Sequence, residues 1–458
     1  MPNTHPRLVI AGTHSGAGKT SVVTAALAAL RARGVPLRPF KVGPDYIDPA
    51  FHAHVTGTPS RNLDSWLLDA PVLRGLFARA ANGGLSLIEG VMGLFDGKGS
   101  GHEGSTAHVA EILDAPVVLV ISAQGLSRSA AAMVAGYASF HPRVRVGGVI
   151  VNRVKSARQY GLIRDSVEKA CAVPCLGYLP ENPDFALQSR HLGLVPSQEV
   201  AELDAVVAHL ALAAGETIDL DGLMALADGA PPLPAGELPR VEGSFPVRIG
   251  VARDSAFSFY YQDNFDLLQT LGAELVFFSP MRDRSLPDAL HGLYLGGGFP
   301  EVFAQALAAN GPMRSAIREA VSGGLPVYAE CGGMAYLCVS LADAAGTVFP
   351  MAGVFPHRAV MTGKLQRFGY AEAEFCRETV LGPAGTRVRT HEFHYSRIEP
   401  EDGTEGCYRM RKDGVTPWRG GLASGNVLAA YPHIHFYSNP SLPRNFLARC
   451  GAFKAGRP

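Results

Sequence analysis

Apolar residues in the first half of the chain gather in short unbroken runs: RLVIAGT (7–13), LRPFKVG (37–43), LSLIEG (85–90), APVVLVIS (115–122), VRVGGVIVN (144–152) and VPCLGYLP (173–180). Runs of this kind, rich in β-branched residues and closed by glycine or polar turns, predict strands buried on both faces. Between them lie helical stretches such as TSVVTAALAALRARG, which ends in basic residues and a glycine as helix C-termini tend to. Buried strands alternating with helices predict a doubly wound parallel sheet. The periodicity then lapses in DGAPPLPAGELPRVEGSFP, where proline and glycine become dense enough to mark a linker. Beyond it the theme restarts with VRIGVAR (247–253), AELVFFSP (273–280), GLYLGGG (292–298) and LPVYAE (325–330). RVRTHEFHYSRI and GNVLAAYPHIHFY also read as strands. The expected organisation is α/β throughout: one domain over 1–228, a linker at 229–246 and a second domain over 247–458.

The totals add limits to this picture. A chain of 458 residues is long enough for two or more cores, and its 41 basic residues balance its 41 acidic ones. Zero net charge gives no support for nucleic-acid binding or for a polybasic membrane contact. The longest apolar runs fall far short of the ~20 residues of a membrane span. MPNTHPRLVIAG lacks the basic and long apolar regions of a signal peptide, so a cytoplasmic protein is expected. Seven scattered cysteines do not form a disulfide framework, and Cys171 and Cys175 have no second pair to complete a zinc site. They read as reduced structural thiols.

Two stretches carry chemistry. The strand RLVIA runs through GTHSGAGKTS into a helix, the setting of a phosphate loop. Gly16 and Gly18 let backbone N–H groups face an anion at a helix N-terminus. Lys19 can reach the outer phosphates, the Thr20 hydroxyl can ligand Mg²⁺, and Ser21 completes the loop. The strict pattern is not met, since Thr13 stands at its first glycine position and the glycine is Gly12. Glu89 and Asp96 sit where strand ends meet a ligand crevice and suit Mg²⁺; for Asp96, in FDG, a turn or cap role competes. KVGPDYIDP packs Lys41, Asp45, Tyr46 and Asp48 into one loop at a strand end, where substrate contacts concentrate.

The second stretch is LPVYAE followed by CGGMAYL, which predicts strand, sharp turn and helix with Cys331 at the apex. A helix N-terminus favours the thiolate, and a histidine from another strand is needed as base. YPHIHFY offers His433 and His435, which alternation on an extended segment sends to the same face, so spacing does not choose between them. GGGFPE, with Gly297 and Gly298, supplies backbone N–H groups of the oxyanion-hole kind.

GTHSGAGKT, KVGPDYIDP, IEGVMGLFDG, GVIVNRV, FSFYYQDN, LYLGGGFPE, AECGGM, HEFHYS and YPHIHF, in this order, resemble the cobyrinic acid a,c-diamide synthase family. That family joins a dethiobiotin-synthetase-like ATP domain to a class I glutamine amidotransferase domain of flavodoxin-like fold. The resemblance implies glutamine-dependent, ATP-driven amidation of two acetate side chains on a corrin polycarboxylate, cobyrinic or hydrogenobyrinic acid. It implies Cys331 as nucleophile, His433 as base, Gly297 and Gly298 as oxyanion donors, and Lys19, Thr20, Glu89 and Asp96 at the nucleotide and metal end. Lys41, Asp45, Tyr46 and Asp48 match the loop facing substrate and transferring phosphate, with Asp45 and Asp48 in catalytic roles and Lys41 at the ATP. Asn152, in GVIVNRV, matches an adenine-reading asparagine. Two positions depart from the wider amidotransferase pattern: Ala329 replaces an elbow glycine, and His433-Ile434-His435 replaces His-x-Glu, removing the carboxylate that normally orients the base. His435 is either its substitute or a packing residue. A polycarboxylate substrate requires local basic residues, for which Arg358, Arg367, Arg389, His391, His394 and Arg397 are the candidates. A sister amidotransferase acting on other carboxylates, and a nucleotide-switch ATPase, remain the alternatives; oligomeric state, a homodimer included, is left open.

Overall fold

The computed structural model describes residues 5–185, 197–400 and 406–456. It divides into two compact units, meeting in the chain at Leu238 and Pro239.

In the first unit the expected strands form at β1 (Arg7–Gly12), β2 (Leu37–Val42), β4 (Leu85–Gly93), β5 (Val117–Ser122), β6 (Val146–Val154) and β7 (Cys175–Pro180), with a short β3 (Arg61–Leu63) that the apolar pattern misses. They make one parallel sheet in the order β3-β2-β4-β1-β5-β6-β7. Leu8, Val9 and Ile10 on β1 are wholly buried, which is why the run is continuous rather than alternating. Each such side chain contributes about 1.5–3 kcal/mol by leaving water. Helix α1 (Lys19–Ala32) follows β1 directly, and its alanines allow close packing in the core that Leu8, Ile10, Val22 and Leu27 share. Helix α2 (Ile47–Thr56) follows β2. Chain direction across the sheet reverses beside β1, so the C-terminal ends of β1, β2 and β4 open onto one crevice. Residues 230–238 form no helix or strand but are tied to this unit: Arg7 donates to the Pro231 carbonyl at 2.7 Å and Glu237 N–H to Pro71 at 2.9 Å.

The second unit contains β8 (Arg248–Ala252), β9 (Glu274–Phe278), β10 (Gly292–Leu295) and β11 (Val327–Glu330) as expected. Eight strands come next, of which the expected RVRTHEFHYSRI segment supplies β16 and β17 while the apolar pattern resolves the others poorly: β12 (Cys338–Ala342), β13 (Val348–Pro350), β14 (Phe355–Met361), β15 (Arg367–Phe375), β16 (Arg387–His394), β17 (Ser396–Glu399), β18 (Tyr408–Lys412) and β19 (Val415–Gly420). Last are β20 (Leu422–Ser424) and β21 (Val427–Ala430). The main sheet runs β20-β21-β11-β10-β8-β9, parallel except at β20, and two four-stranded sheets, β13-β12-β14-β17 and β16-β15-β18-β19, lie outside it. GNVLAAYPHIHFY is a strand only at β21; the chain then turns irregular and closes a 3₁₀ turn at Phe436–Ser438. The expected extended segment through both histidines is therefore not formed, because residue 433 pairs with residue 391 by a lone bridge instead of joining a ladder. All seven cysteines are free thiols. Among the described residues no helix is long and apolar enough to cross a membrane.

Candidate active sites

The phosphate-type loop sits between β1 and α1. Gly18 closes it with φ 91°, and α1 has no side-chain cap, an arrangement suited to receiving an anion at its first N–H groups. Lys19 is 8% exposed; its Nζ donates to the carbonyls of Met92, at 2.5 Å, and His14, at 3.4 Å. Burial, then Lys41, lowers its pKa. Asn152, at the end of β6, comes to the same loop: its side-chain amide donates to the Ala17 carbonyl at 3.0 Å.

Beside the loop lies a buried acid–base cluster whose origin is register. Lys41 and Glu89 are direct partners across β2 and β4, so both side chains leave the same face of the sheet. Lys41 Nζ lies 3.1 Å from Glu89, 2.6 Å from Asp48 and 3.9 Å from Asp45, and donates to the Gly90 carbonyl at 3.0 Å. Burial would strip its proton, but Glu89, Asp48 and Asp45 outweigh that and raise its pKa. Glu89 is fully buried; burial would raise it, but Lys41 and His52 hold it well below the usual carboxylate range. His52 was not anticipated. It stands one turn after Asp48 on α2, and its Nε2 meets Glu89 Oε2 at 2.6 Å while Nδ1 meets Ser60 Oγ at 3.2 Å. The i, i+4 spacing from Asp48 was the available signal.

Thr20 donates to Glu89 Oε1 at 2.7 Å and faces Asp48 Oδ1 at 3.5 Å. Burial, then repulsion from Glu89, pushes the Asp48 carboxyl well above its ordinary range despite Lys41. Hard oxygen donors crowded in this way are a donor set that a divalent cation such as Mg²⁺ fits. Two of the expected acids also do local work. Asp45 Oδ1 accepts from Ile47 N–H at 2.8 Å and Asp48 N–H at 3.2 Å, fixing the start of α2, and Asp96 Oδ2 accepts from Gly93 N–H at 2.9 Å, the turn role that competed for it. Tyr46 occupies the N-cap position of α2, and Ser21 lies in its predecessor α1, in the first turn.

In the second unit β11 leads into Cys331, which has φ 46° and ψ −102°, and then into a helix over Gly332–Leu337. A non-glycine residue held there costs about 1–3 kcal/mol, a strain that active sites retain. Cys331 N–H is pinned to the Ala430 carbonyl at 2.7 Å. The His433 side chain is hydrogen-bonded to Cys331. Its Nδ1 lies 3.1 Å from Glu330 Oε2, and both residues are 2% exposed. Burial pushes the imidazole pKa down, but Cys331 and Glu330 more than offset this and raise it to about 10.

Glu330 thus corrects one expectation. The missing His-x-Glu carboxylate is not absent from the site; it comes from the residue preceding the nucleophile. Its other oxygen accepts from Tyr328 O–H at 2.5 Å and Ile434 N–H at 3.3 Å, so three donors fix it. His435 is not that partner: it is wholly buried against the Tyr261 ring, 4.9 Å between centroids, with Nε2 4.0 Å from Asp263. Gly297 lies against the base, for a Cβ there would be 2.6 Å from His433 Cε1. Gly298 has φ 154°, and its N lies 3.1 Å from where a Cβ on Gly332 would stand, placing that N–H beside the elbow. The segment bearing His433 is clasped to β16 by two bonds, His433 N–H to the His391 carbonyl at 2.9 Å and His391 N–H to the His433 carbonyl at 3.2 Å.

Of the six basic candidates, Arg367, His394 and Arg397 line one cavity of about 690 Å³, while Arg358, Arg389 and His391 do not.

Comparison with known proteins agrees with both halves of this geometry. Residues 8–195 match the CobQ/CobB/MinD/ParA nucleotide binding domain, and residues 248–441 match the CobB/CobQ-like glutamine amidotransferase domain. The chain is 42% identical over 452 residues to the cobyrinate a,c-diamide synthase of Dehalococcoides mccartyi (strain CBDB1), covering 96% of this chain and 97% of the relative. It is 44% identical over 444 residues to that of Listeria innocua serovar 6a, covering 95% and 97%. With that of Salmonella typhimurium (strain LT2) it shares 41% over 455 residues, covering 98% and 99%. With both halves matched and the likeness running nearly end to end, the chain belongs to the cobyrinate a,c-diamide synthase family.

Proposed function

We propose that this protein is a cytoplasmic glutamine-dependent ligase that uses ATP to convert the a and c acetate carboxylates of cobyrinic or hydrogenobyrinic acid to amides. The observation that carries the reading is one chain holding both a phosphate loop backed by the Lys41–Glu89–Asp48 cluster and a strained cysteine paired with a buried histidine. One site makes a carboxylate reactive, and the other makes the amine.

At the second site Cys331 attacks the amide carbon of glutamine as the thiolate. The imidazolium of His433, stabilised by Glu330, is the proton source for the departing ammonia. Gly297 and Gly298 offer backbone N–H groups to the oxyanion. Water then hydrolyses the thioester, with His433 as base. Glu330 is a positioning residue: it fixes the Nδ1–H tautomer, so that Nε2 faces the sulfur.

At the first site the γ-phosphoryl group passes to a substrate carboxylate, and ammonia displaces it from the acyl phosphate. A carboxylate is a poor electrophile at neutral pH, so the phosphate supplies the leaving group and the protein supplies position and countercharge. Lys19 and Lys41 provide positive charge, the α1 N-terminus receives the phosphates, and Asn152, whose amide meets the Ala17 carbonyl beside the loop, is the residue we assign to the base. Thr20, Glu89 and Asp48, with Asp96 beside Lys19, would hold Mg²⁺, which when bound neutralises phosphate charge. Asp45 and Asp48, at the mouth of the cluster, face substrate together with Tyr46. Ammonia has to travel between sites shielded from water, because free ammonia protonates and loses its nucleophilicity.

The test is incubation with ATP, Mg²⁺, glutamine and either corrin acid, followed by mass spectrometry. Two acid-to-amide conversions are expected; the absence of amide product on any corrin would reject the reading.

A further inference from the structure

The cavity beside the Cys331 elbow has an unusual charge arrangement. Met334 lies one helical turn past Cys331, Tyr431 lies two residues before His433, and both line it. The phenol of Tyr431 has its pKa raised by burial and by the nearby Cys331 and Glu392, so this wall lies within electrostatic reach of the thiol. Tyr431 stacks on His394 with centroids 3.5 Å apart and planes at 4°.

Glu392 lines the same cavity from β16 and is 4% exposed. Its main chain is paired with Gly369, but among the described residues its carboxylate has no hydrogen bond and no ion pair. Leaving a carboxylate out of water without a partner is costly. Burial accordingly raises Glu392 to about 7, against the pull of Arg367. Across the cavity lining, Arg367 stacks over Trp418 at 4.6 Å and likewise has no carboxylate partner among the described residues. Arg397, by contrast, is already paired with Glu399 at 2.6 Å.

From these observations we infer that the cavity is the recognition site for the α-amino-acid end of glutamine, with Glu392 receiving the α-ammonium and Arg367 the α-carboxylate. One uncompensated anion and one uncompensated cation in a single lining match a zwitterion. Arg377, Arg397 and Arg419 also line the cavity, but each is already engaged, which leaves Glu392 and Arg367 as the charged groups a ligand would meet. Anchoring the charged end directs the side-chain amide toward Cys331. The inference rests on the glutaminase reading and adds the residues that select glutamine.

The experiment measures formation of the deamidated acid (glutamate, glutarate or 4-aminobutanoate) by the full chain with MgATP and corrin acid saturating. Substrates are glutamine, glutaramic acid (no α-ammonium) and 4-aminobutanamide (no α-carboxylate). Glu392→Gln should raise the KM for glutamine about 10–100-fold, the scale of a lost charged hydrogen bond, while turnover of glutaramic acid is unchanged. Arg367→Gln should do the same for glutamine and leave 4-aminobutanamide unaffected, which keeps the test decisive if one variant does not fold. Ammonia-driven amidation, which bypasses the cavity, reports folding. The inference is overturned if glutamine KM stays within about twofold, if glutamine and its truncated analogues suffer equally, or if corrin KM moves while glutamine KM does not. Failure of the underlying reading would appear separately, as wild-type protein releasing no Cys331-dependent glutamate.

Discussion

Replacing Glu330 by glutamine tests the glutaminase site with the least change in shape. The carboxylate accepts three hydrogen bonds, from His433 Nδ1–H at 3.1 Å, Ile434 N–H at 3.3 Å and Tyr328 O–H at 2.5 Å. An amide has one accepting oxygen, so whichever way it turns, an NH₂ group confronts at least one of these donors. The bond to His433 joins two charged groups in a buried setting, and such bonds are worth about 1.5–3 kcal/mol. If that stabilisation is realised when the imidazolium delivers its proton, kcat/KM for glutamine should fall about 10–100-fold. A pH effect accompanies it. The anion of Glu330 is among the groups that raise His433 to about 10, so removing its charge lowers that pKa and draws the alkaline limb of the glutaminase profile to lower pH. Glutamate release across pH and ammonia-driven diamide formation by mass spectrometry are the two assays. An unshifted alkaline limb with unchanged kcat/KM would refute the positioning role, and an equal loss with ammonia would assign the effect to folding.

Further outcomes separate the sites. Cys331→Ala should abolish glutamine-dependent amidation and retain the ammonia-driven reaction, whereas Lys19→Ala should depress both by about 10²-fold or more, checked by diamide yield. Chelating divalent ions with EDTA should stop amidation with either nitrogen source, and added Mg²⁺ should restore it. Gly298→Ala places a Cβ 2.1 Å from the Ala256 carbonyl at φ 154°, so glutamate release should fall sharply, with roughly 1–3 kcal/mol lost in thermal denaturation. His391 is lowered to about 3 by burial, then by His433 and Lys412; it therefore contributes stability above its unfolded pKa that drains away as pH falls from about 6.5 toward 3. At about pH 5 this amounts to roughly 2 kcal/mol, and His391→Gln should flatten that acid decline in melting experiments.

Much of this architecture is legible in the sequence because the central strands of the two main sheets are buried on both faces. β1, β5 and β11 are almost wholly apolar and closed by functional turns, so pattern and chemistry coincide. Between β12 and β19 only β16 and β17 are legible, since segments such as β19 and the start of β15 are largely exposed and mix polar with apolar positions. The unanticipated residues share another cause. Glu330 looks like a strand end until folding brings β21 alongside β11, so that its carboxylate meets a histidine 103 positions away. Glu392 lies within HEFHYS, where a search for basic residues passes over the acid whose significance is the lack of a partner. Linear order records which groups are present and says little about which remain uncompensated after folding.

The reciprocal clasp between residues 391 and 433 has a mechanical consequence. Glu392 is the next residue after one jaw of that clasp, so the wall proposed to gauge an incoming molecule and the imidazole proposed to shuttle the proton are tied by two hydrogen bonds. A misfitting guest that displaced β16 would then pull on the segment that carries the ring. Discrimination would then show itself in turnover as well as in occupancy: an impostor that did lodge in the chamber would still leave the machinery idle.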